Sequence, residues 1–164
     1  MFKFINTKRL PIWYLAIALP LVLEPAALIF QYVLDYGPCI LCVQIRATLI
    51  AMFIAGIAGI SVSCKAAQKL LSLALVGITG VFAYQSFMVL GIERYWFEGS
   101  CTMDAPFPNW LPLHEWIPSV FEPWELCGYT PEIIRGITMA EALVIISITS
   151  ILAAIYNLFI VLRK

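Results

Sequence analysis

Histidine, net charge and polar sequence in general are all scarce in this chain. His114 is the only histidine in 164 residues, and alone it reads as an interfacial side chain rather than a metal ligand or a catalytic base. Ten basic and ten acidic residues cancel, so no global charge recommends nucleic acid as a partner. Charged residues make up only 12% of the chain, far below the share found in a soluble globular domain. There is no internal repeat and no low-complexity tract. No cleavable signal peptide is expected: the first apolar run is long, contains Pro20 and Glu24, and lacks a small-residue cleavage pattern, so it should remain as a span.

What fills the chain is apolar sequence, 62% of all residues, with a mean hydropathy of +0.93. That composition belongs to a multi-pass membrane protein, and 164 residues suffice for one bundle of roughly four spans at about 20 apolar residues each. We expect a single membrane domain over 1–164, an all-α antiparallel bundle of four transmembrane helices. The spans fall near 10–34, 38–62, 70–92 and 137–162, and one long loop covers 93–136 between the third and fourth.

Basic residues accumulate on the cytoplasmic side of short loops and termini. Under this four-span reading Lys3, Lys8, Arg9, Lys65, Lys69, Arg163 and Lys164 share one side, against Arg46, Arg94 and Arg135 on the other. Both termini are therefore expected in the cytoplasm. The links 35–39 and 93–136 then face outward, to the periplasm of a Gram-negative cell. The long loop carries Trp96, Trp110, Trp116 and Trp124, residues that favour the membrane–water interface. Within it, Asn109 to Phe121 has near-helical apolar spacing and predicts a short surface helix, made irregular by Pro112 and Pro118.

Four of the five cysteines lie on the outward side. Gly37-Pro38-Cys39-Ile40-Leu41-Cys42 opens the second span, with Arg46 four residues beyond Cys42. Proline is favoured in the first turn of a helix, which places Cys39 among unpaired N–H groups that stabilise a thiolate. Positions 39, 42 and 46 share one helical face, so the guanidinium can stabilise charge near Cys42 or bind the carbonyl oxygen of an acceptor. That pattern suits electron transfer between a thiol pair and a membrane-soluble oxidant. The bland account makes the cysteines packing residues and Arg46 a snorkelling anchor.

Cys101 and Cys127 form the second outward pair, and in an oxidising compartment such a pair joins as a disulfide, either a loop staple or a working redox couple. A four-sulfur zinc site is the rival chemistry, disfavoured by the 26 positions between those two cysteines. Cys64, in the inward link, is expected to be a reduced bystander. Glu24 and Gln31 lie within the first span, seven apart and so on one face. Polar groups there point into the bundle or a functional cavity. Gln31, level with the Cys39/Cys42 pair, is the better candidate for the site, and an interhelical hydrogen bond accounts for Glu24 equally well.

Leu23-Glu24, Phe30-Gln31, the Gly37 to Cys42 run with Arg46, Cys101, the Phe107-Pro108-Asn109-Trp110-Leu111-Pro112-Leu113 segment, Trp116 to Phe121 and Cys127 together resemble the DsbB family of quinone-linked membrane thiol oxidases. The resemblance covers all four spans and both outward loops. It implies a protein of the bacterial inner membrane, with ubiquinone or menaquinone as acceptor and a periplasmic DsbA-like thioredoxin-fold protein as partner. By the same resemblance, Cys101 is attacked by the partner's thiolate, Cys127 is displaced and reduces the pair through Cys39, and Cys42 faces the quinone with Arg46 stabilising the charge. Gln31 joins Arg46 and Cys42 as a cofactor-binding candidate. Ile45 stands where many members carry Glu or Gln, Glu93-Arg94 where some carry Glu-His, and the stretch from Glu93 to Cys101 is short. A vitamin K epoxide reductase-like protein is the alternative within the same chemistry, but its loop cysteines precede the Cys-x-x-Cys and here they follow it. A non-enzymatic metal-binding membrane protein is the alternative from another class.

Overall fold

A computed structural model describes residues 11–96, 107–125, 128, 130–134 and 136–163. Cys101 and Cys127 lie outside the described residues. Four long helices, α1 (Ile12–Tyr32), α2 (Ile40–Ser61), α3 (Lys65–Glu93) and α6 (Met139–Arg163), are each long and apolar enough to cross a membrane. Between α3 and α6 come two single-turn helices, α4 (Leu113–Trp116) and α5 (Pro118–Phe121), and an antiparallel pair of short strands, β1 (Glu132–Ile134) and β2 (Ile137–Thr138).

The bundle buries small and polar groups beside an apolar core that includes Trp13, Leu75 and Phe82, and it turns many other large apolar side chains outward. Leu21 and Val22 on α1, Ile54 on α2, Leu73 on α3 and Ile145 and Leu152 on α6 are all exposed, as lipid-facing side chains are. The α3/α6 interface holds Ser72, Thr79 and Ser86 from α3 against Ala140, Ser147, Ala154 and Asn157 from α6, all buried. Small residues let helix backbones approach where the solvent is as apolar as the side chains. The hydroxyls stay satisfied by their own helix: Thr79 donates to Leu75 O at 2.8 Å and Ser86 to Phe82 O at 2.8 Å. One bond crosses the interface, from Asn157 Nδ2 to Ser72 Oγ at 3.1 Å.

α1 packs along α2, α2 along α3 and α3 along α6, while α1 and α6 barely meet. The open seam between the first and last helices is what admits a cleft. Pro20 and Pro25 sit inside α1 without ending it, a tolerance found in membrane helices.

Several boundaries depart from the hydropathy reading. α3 begins at Lys65 rather than near 70, because the Gln68 side chain folds back and donates to Gly59 O at 2.7 Å and Val62 O at 2.6 Å, closing the α2–α3 turn within three residues. α6 begins at Met139, since Ile137 and Thr138 are spent on β2. That strand pair was not expected in an all-α chain. The single surface helix expected at 109–121 is two helices, broken at Ile117, whose φ of −138° and ψ of 69° precede Pro118. The residue before a proline is pushed out of the helical region.

Trp13, 2% exposed, lies flat on α2 where Gly59 has no side chain, and a Cβ at that position would collide with the indole ring. Gly59→Val should lower the unfolding midpoint in detergent by the equivalent of about 1–3 kcal/mol, the usual cost of overpacking. Gly77, where a Cβ meets nothing within 4 Å, is the control, and its substitution by Ala should leave the midpoint within error or raise it.

Candidate functional site

The link from α1 to α2 shapes the site. Asp35 takes a φ of 58°, a left-handed conformation that aspartate tolerates, and Tyr36 N–H returns to Phe30 O at 3.0 Å. Gly37 follows, close against Trp124 and Glu125: a Cβ on it would stand 2.9 Å from Trp124 Cβ and 2.8 Å from Glu125 Cγ. The absence of a side chain lets the long loop settle there, and Trp124 N–H donates to Pro38 O at 2.9 Å. Cys127 is two positions beyond Glu125 in sequence, so the chain leading to it is fastened beside Cys39.

Cys39 is the N-cap of α2, with φ −80° and ψ 168°, and its sulfur accepts from the Cys42 N–H at 3.3 Å. Pro38 therefore stands one residue before the cap, not within the first turn as its helix preference suggests. The expected consequence still follows, because the thiol itself occupies the place where unpaired N–H groups seek an acceptor. The Cys39 and Cys42 sulfurs approach to 2.7 Å and share one hydrogen bond. Two sulfurs on adjacent turns, facing each other this closely, need little movement to form or break a bond.

Arg46 is 4% exposed and held by three hydrogen bonds. Its Nη1 donates to Gln31 Oε1 at 2.7 Å and to Val120 O at 2.7 Å, and its Nη2 to Ala27 O at 3.4 Å. Three of the five N–H donors of a guanidinium are thus used on α1 and α5, and the other two have no partner among the described residues. This is no snorkelling anchor. Gln31, 1% exposed, is locked in turn by its Nε2 donating to Ser119 O at 3.3 Å. Tyr32 O–H reaches the same Ser119 oxygen at 2.5 Å. Gln31, expected level with the Cys39/Cys42 pair, is joined to Arg46 and is not among the residues lining the cleft beside it; the carbonyls of Ala27, Ser119 and Val120 carry no side-chain signal and could not be read in advance.

Cys39, Cys42 and Arg46 line a cleft of about 130 Å³ in the α1/α6 seam. Leu23, Ala26, Ala27 and Phe30 of α1, Ile45 and Leu49 of α2, and Met139, Ala142, Leu143 and Ile146 of α6 complete its walls. An apolar ligand with hydrogen-bond acceptors at one end would meet matching chemistry there. Ile45, where the motif resemblance expected a polar residue, adds to the apolar wall.

Thr130, Pro131 and Ile133 close the cleft from the loop side, and the ends of α3 and α6 hold them in place. Glu93 Oε2 accepts from the hydroxyls of Thr130 and Thr138. Thr138 Oγ1 also accepts from Glu141 N–H at 3.3 Å while Glu141 Oε2 accepts from Thr138 N–H at 3.2 Å. Thr138-Met139-Ala140-Glu141 is thus a capping box, a signal visible in the sequence and overlooked. Glu141 further pairs with Arg94. Glu93 and Arg94 line no wall of this cleft among the described residues; they hold its cover. Thr138→Ala removes the cap and the tie to Glu93 together, so it should cost about 1 kcal/mol. Amide hydrogen exchange at Met139 to Glu141 should quicken several-fold while α2 amides keep their wild-type rates; unchanged exchange at the start of α6 would refute the cap.

The sequence matches the profile of the family described as Disulfide bond formation protein DsbB over residues 8–157. It is 30% identical over 149 residues to Disulfide bond formation protein B of Shewanella loihica, covering 87% of this chain and 85% of that protein. The corresponding protein of Haemophilus influenzae is 31% identical over 152 residues, 89% of this chain and 83% of its own. That of Pseudoalteromonas translucida is 32% identical over 136 residues, covering 81% and 78%. With four membrane-crossing helices and a family match over nearly its whole length, the chain is a multi-pass membrane protein of disulfide bond formation and belongs to the DsbB family.

Proposed function

We propose that the protein reoxidises a periplasmic DsbA-like thioredoxin-fold dithiol protein and passes the electrons through Cys101/Cys127 and then Cys39/Cys42 to a membrane quinone, ubiquinone or menaquinone. The observation that carries this reading is the convergence of the Cys39/Cys42 pair and the buried Arg46 at one cleft, whose wall at Gly37 and Pro38 is met by the loop segment Trp124–Glu125. The quinone, when bound, supplies a two-electron acceptor. Its ring carbonyls call for donors and its tail for an apolar wall, and the two spare Arg46 N–H groups and the leucine, isoleucine and phenylalanine lining of the cleft fit both demands.

Each step uses this chain's own groups. The partner's thiolate attacks Cys101 and displaces Cys127 as the leaving thiolate. Cys127 attacks Cys39, whose sulfur caps the start of α2, and Cys42 leaves; Cys101, freed when the partner's second thiol closes the partner's own disulfide, then attacks Cys127 and releases Cys39. Exchange proceeds through attack of a thiolate on a disulfide sulfur and favours a stabilised leaving group. Cys42, one turn from Arg46 and bonded to Cys39, is the sulfur best placed to leave as an anion. Arg46 cannot give up its proton, so it holds charge and orients an acceptor.

The test is quinone-dependent oxidation of a reduced thioredoxin-fold dithiol partner by the purified protein, and Arg46→Met is its sharpest variant. Loss of charge-assisted hydrogen bonds worth about 1.5–3 kcal/mol should reduce kcat/KM for the quinone by roughly 10- to 100-fold, with the partner's KM within twofold. An unchanged quinone KM and turnover would leave Arg46 a purely structural group.

Orientation belongs to the same proposal: both termini in the cytoplasm of an inner-membrane protein, with the α1–α2 link and the α3–α6 segment outside. Cys64 tests it, being exposed and made reactive by the N–H groups of Ala67 and Ala66 at the start of α3, which hold its thiol below the ordinary range. An impermeant thiol reagent added to intact spheroplasts should leave Cys64 unlabelled and reach Cys101 and Cys127 after reduction. Labelling of Cys64 without permeabilisation would invert the topology.

A further inference from the structure

The guanidinium of Arg46 is buried among neutral acceptors, Gln31 Oε1 and the carbonyls of Val120 and Ala27. A buried cation needs a counter-charge. Among the described residues the ion pairs are Arg94 with Glu141 and His114 with Glu115, so no carboxylate touches Arg46. The carboxylate whose field it feels is that of Glu24. Glu24 lies three positions before Ala27 and seven before Gln31, which puts it on the α1 face that carries both contacts to Arg46. Its Oε1 is buried and has no hydrogen-bond partner among the described residues, so no interhelical hydrogen bond there accounts for an acid in a membrane span. An intramembrane carboxyl group left without a partner calls for a function.

That function follows from the charge that the cysteine pair presents to Arg46. With Cys39 and Cys42 joined as a disulfide, the pair is neutral, and among the described residues the ionised carboxylate of Glu24 is the anion that balances Arg46. With the pair reduced, the Cys42 thiolate takes over that balance one turn away. A second negative charge in the same apolar region is then unfavourable. We propose that Glu24 binds a proton when the Cys39–Cys42 disulfide is reduced and releases it when the disulfide re-forms.

The step balances. Two electrons and two protons arrive from the loop thiols and cleave the Cys39–Cys42 bond; one proton remains on Cys39, shared with Cys42 across the 2.7 Å contact, and the other resides on Glu24. On reoxidation the sulfur–sulfur bond forms again, two electrons pass to the quinone assigned above, and the protons of Cys39 and Glu24 follow them to give the quinol. The other titratable groups around the cleft are few. α2 presents Arg46, Cys39 and Cys42, the α1–α2 link presents Tyr36, and α1 itself has Tyr32, whose hydroxyl is engaged with Ser119 O. α6 turns Met139, Ala142, Leu143 and Ile146 to the cleft, none of which titrates.

The inference rests on the proposed redox role of Cys39/Cys42, and one experiment separates the two. In full-length protein carrying Cys101→Ser and Cys127→Ser, the inner pair is equilibrated against a dithiol buffer of known pH dependence around neutral pH. With Glu24 present, the equilibrium constant for reduction should fall about a hundredfold per pH unit, a tenfold factor for each of two protons. Glu24→Gln should reduce this to about tenfold, and Glu24→Asp should restore the steeper dependence. Infrared difference spectra should show a protonated carboxyl band appearing on reduction when Glu24 is present, and that measurement decides the matter even if Glu24→Gln does not fold. A tenfold dependence with Glu24 in place, or no such band, overturns this inference alone. A pair that does not cycle reversibly overturns the proposed function and this inference with it.

Discussion

A charge placed inside an apolar bundle organises this molecule. The Arg46 guanidinium is buried, and three of its N–H groups are met by protein. The groups that meet them come from three separate stretches of chain: Ala27 and Gln31 on α1, Val120 at α5, and α2 itself. Packing alone would not bring α5 to the top of the bundle, since α5 is four residues long and only Phe121 of it is buried. The demand of one buried cation for acceptors helps join the loop to the helices, beside the bonds from Gln31 and Tyr32 to Ser119 O and from Trp124 N–H to Pro38 O.

The same logic explains why the cleft lies where it does. α3 and α6 approach through serine, threonine and alanine, and α1 and α2 through Gly56 and Gly59. The bundle closes tightly on three sides. α1 and α6 have no such matched faces near the Cys39 end, so the seam stays open and is covered by the Thr130 to Thr138 segment instead. A redox pair at a helix start, a fixed cation one turn deeper and an apolar opening to the side therefore result from where close packing stops.

Much of this was legible in residue order, and the rest was not for identifiable reasons. Hydropathy located the four helices because the requirement for about 20 apolar residues is a constraint on length. The helical period put Cys39, Cys42 and Arg46 on one face and raised Gln31 to their level, and the structure joins Gln31 and Arg46 directly. The period could not identify main-chain acceptors, since the Val120 and Ala27 carbonyls exist at any residue. Nor could it show the β1–β2 pair, two and three residues long, whose Thr138 serves strand, cap and cleft cover together. The helix boundaries slipped where side chains closed turns, as Gln68 does, because a hydropathy window averages over such local bonds. The positions of Cys101 and Cys127 lie outside the described residues, and their place in the relay rests on sequence.

Among the described residues, the hydrogen bonds that tie Ser119, Val120 and Trp124 to α1, α2 and their link use backbone atoms of the loop. Trp124 N–H meets Pro38 O, Ser119 O receives Tyr32 and Gln31, and Val120 O receives Arg46. None of these bonds depends on which side chain stands at 119, 120 or 124. Side chains at these three positions can change without loss of those bonds. Selection can retune the face offered to a soluble protein without disturbing the electron path beneath it, and the exacting positions are Gly37, Gln31 and Arg46, on the helix side of the contact.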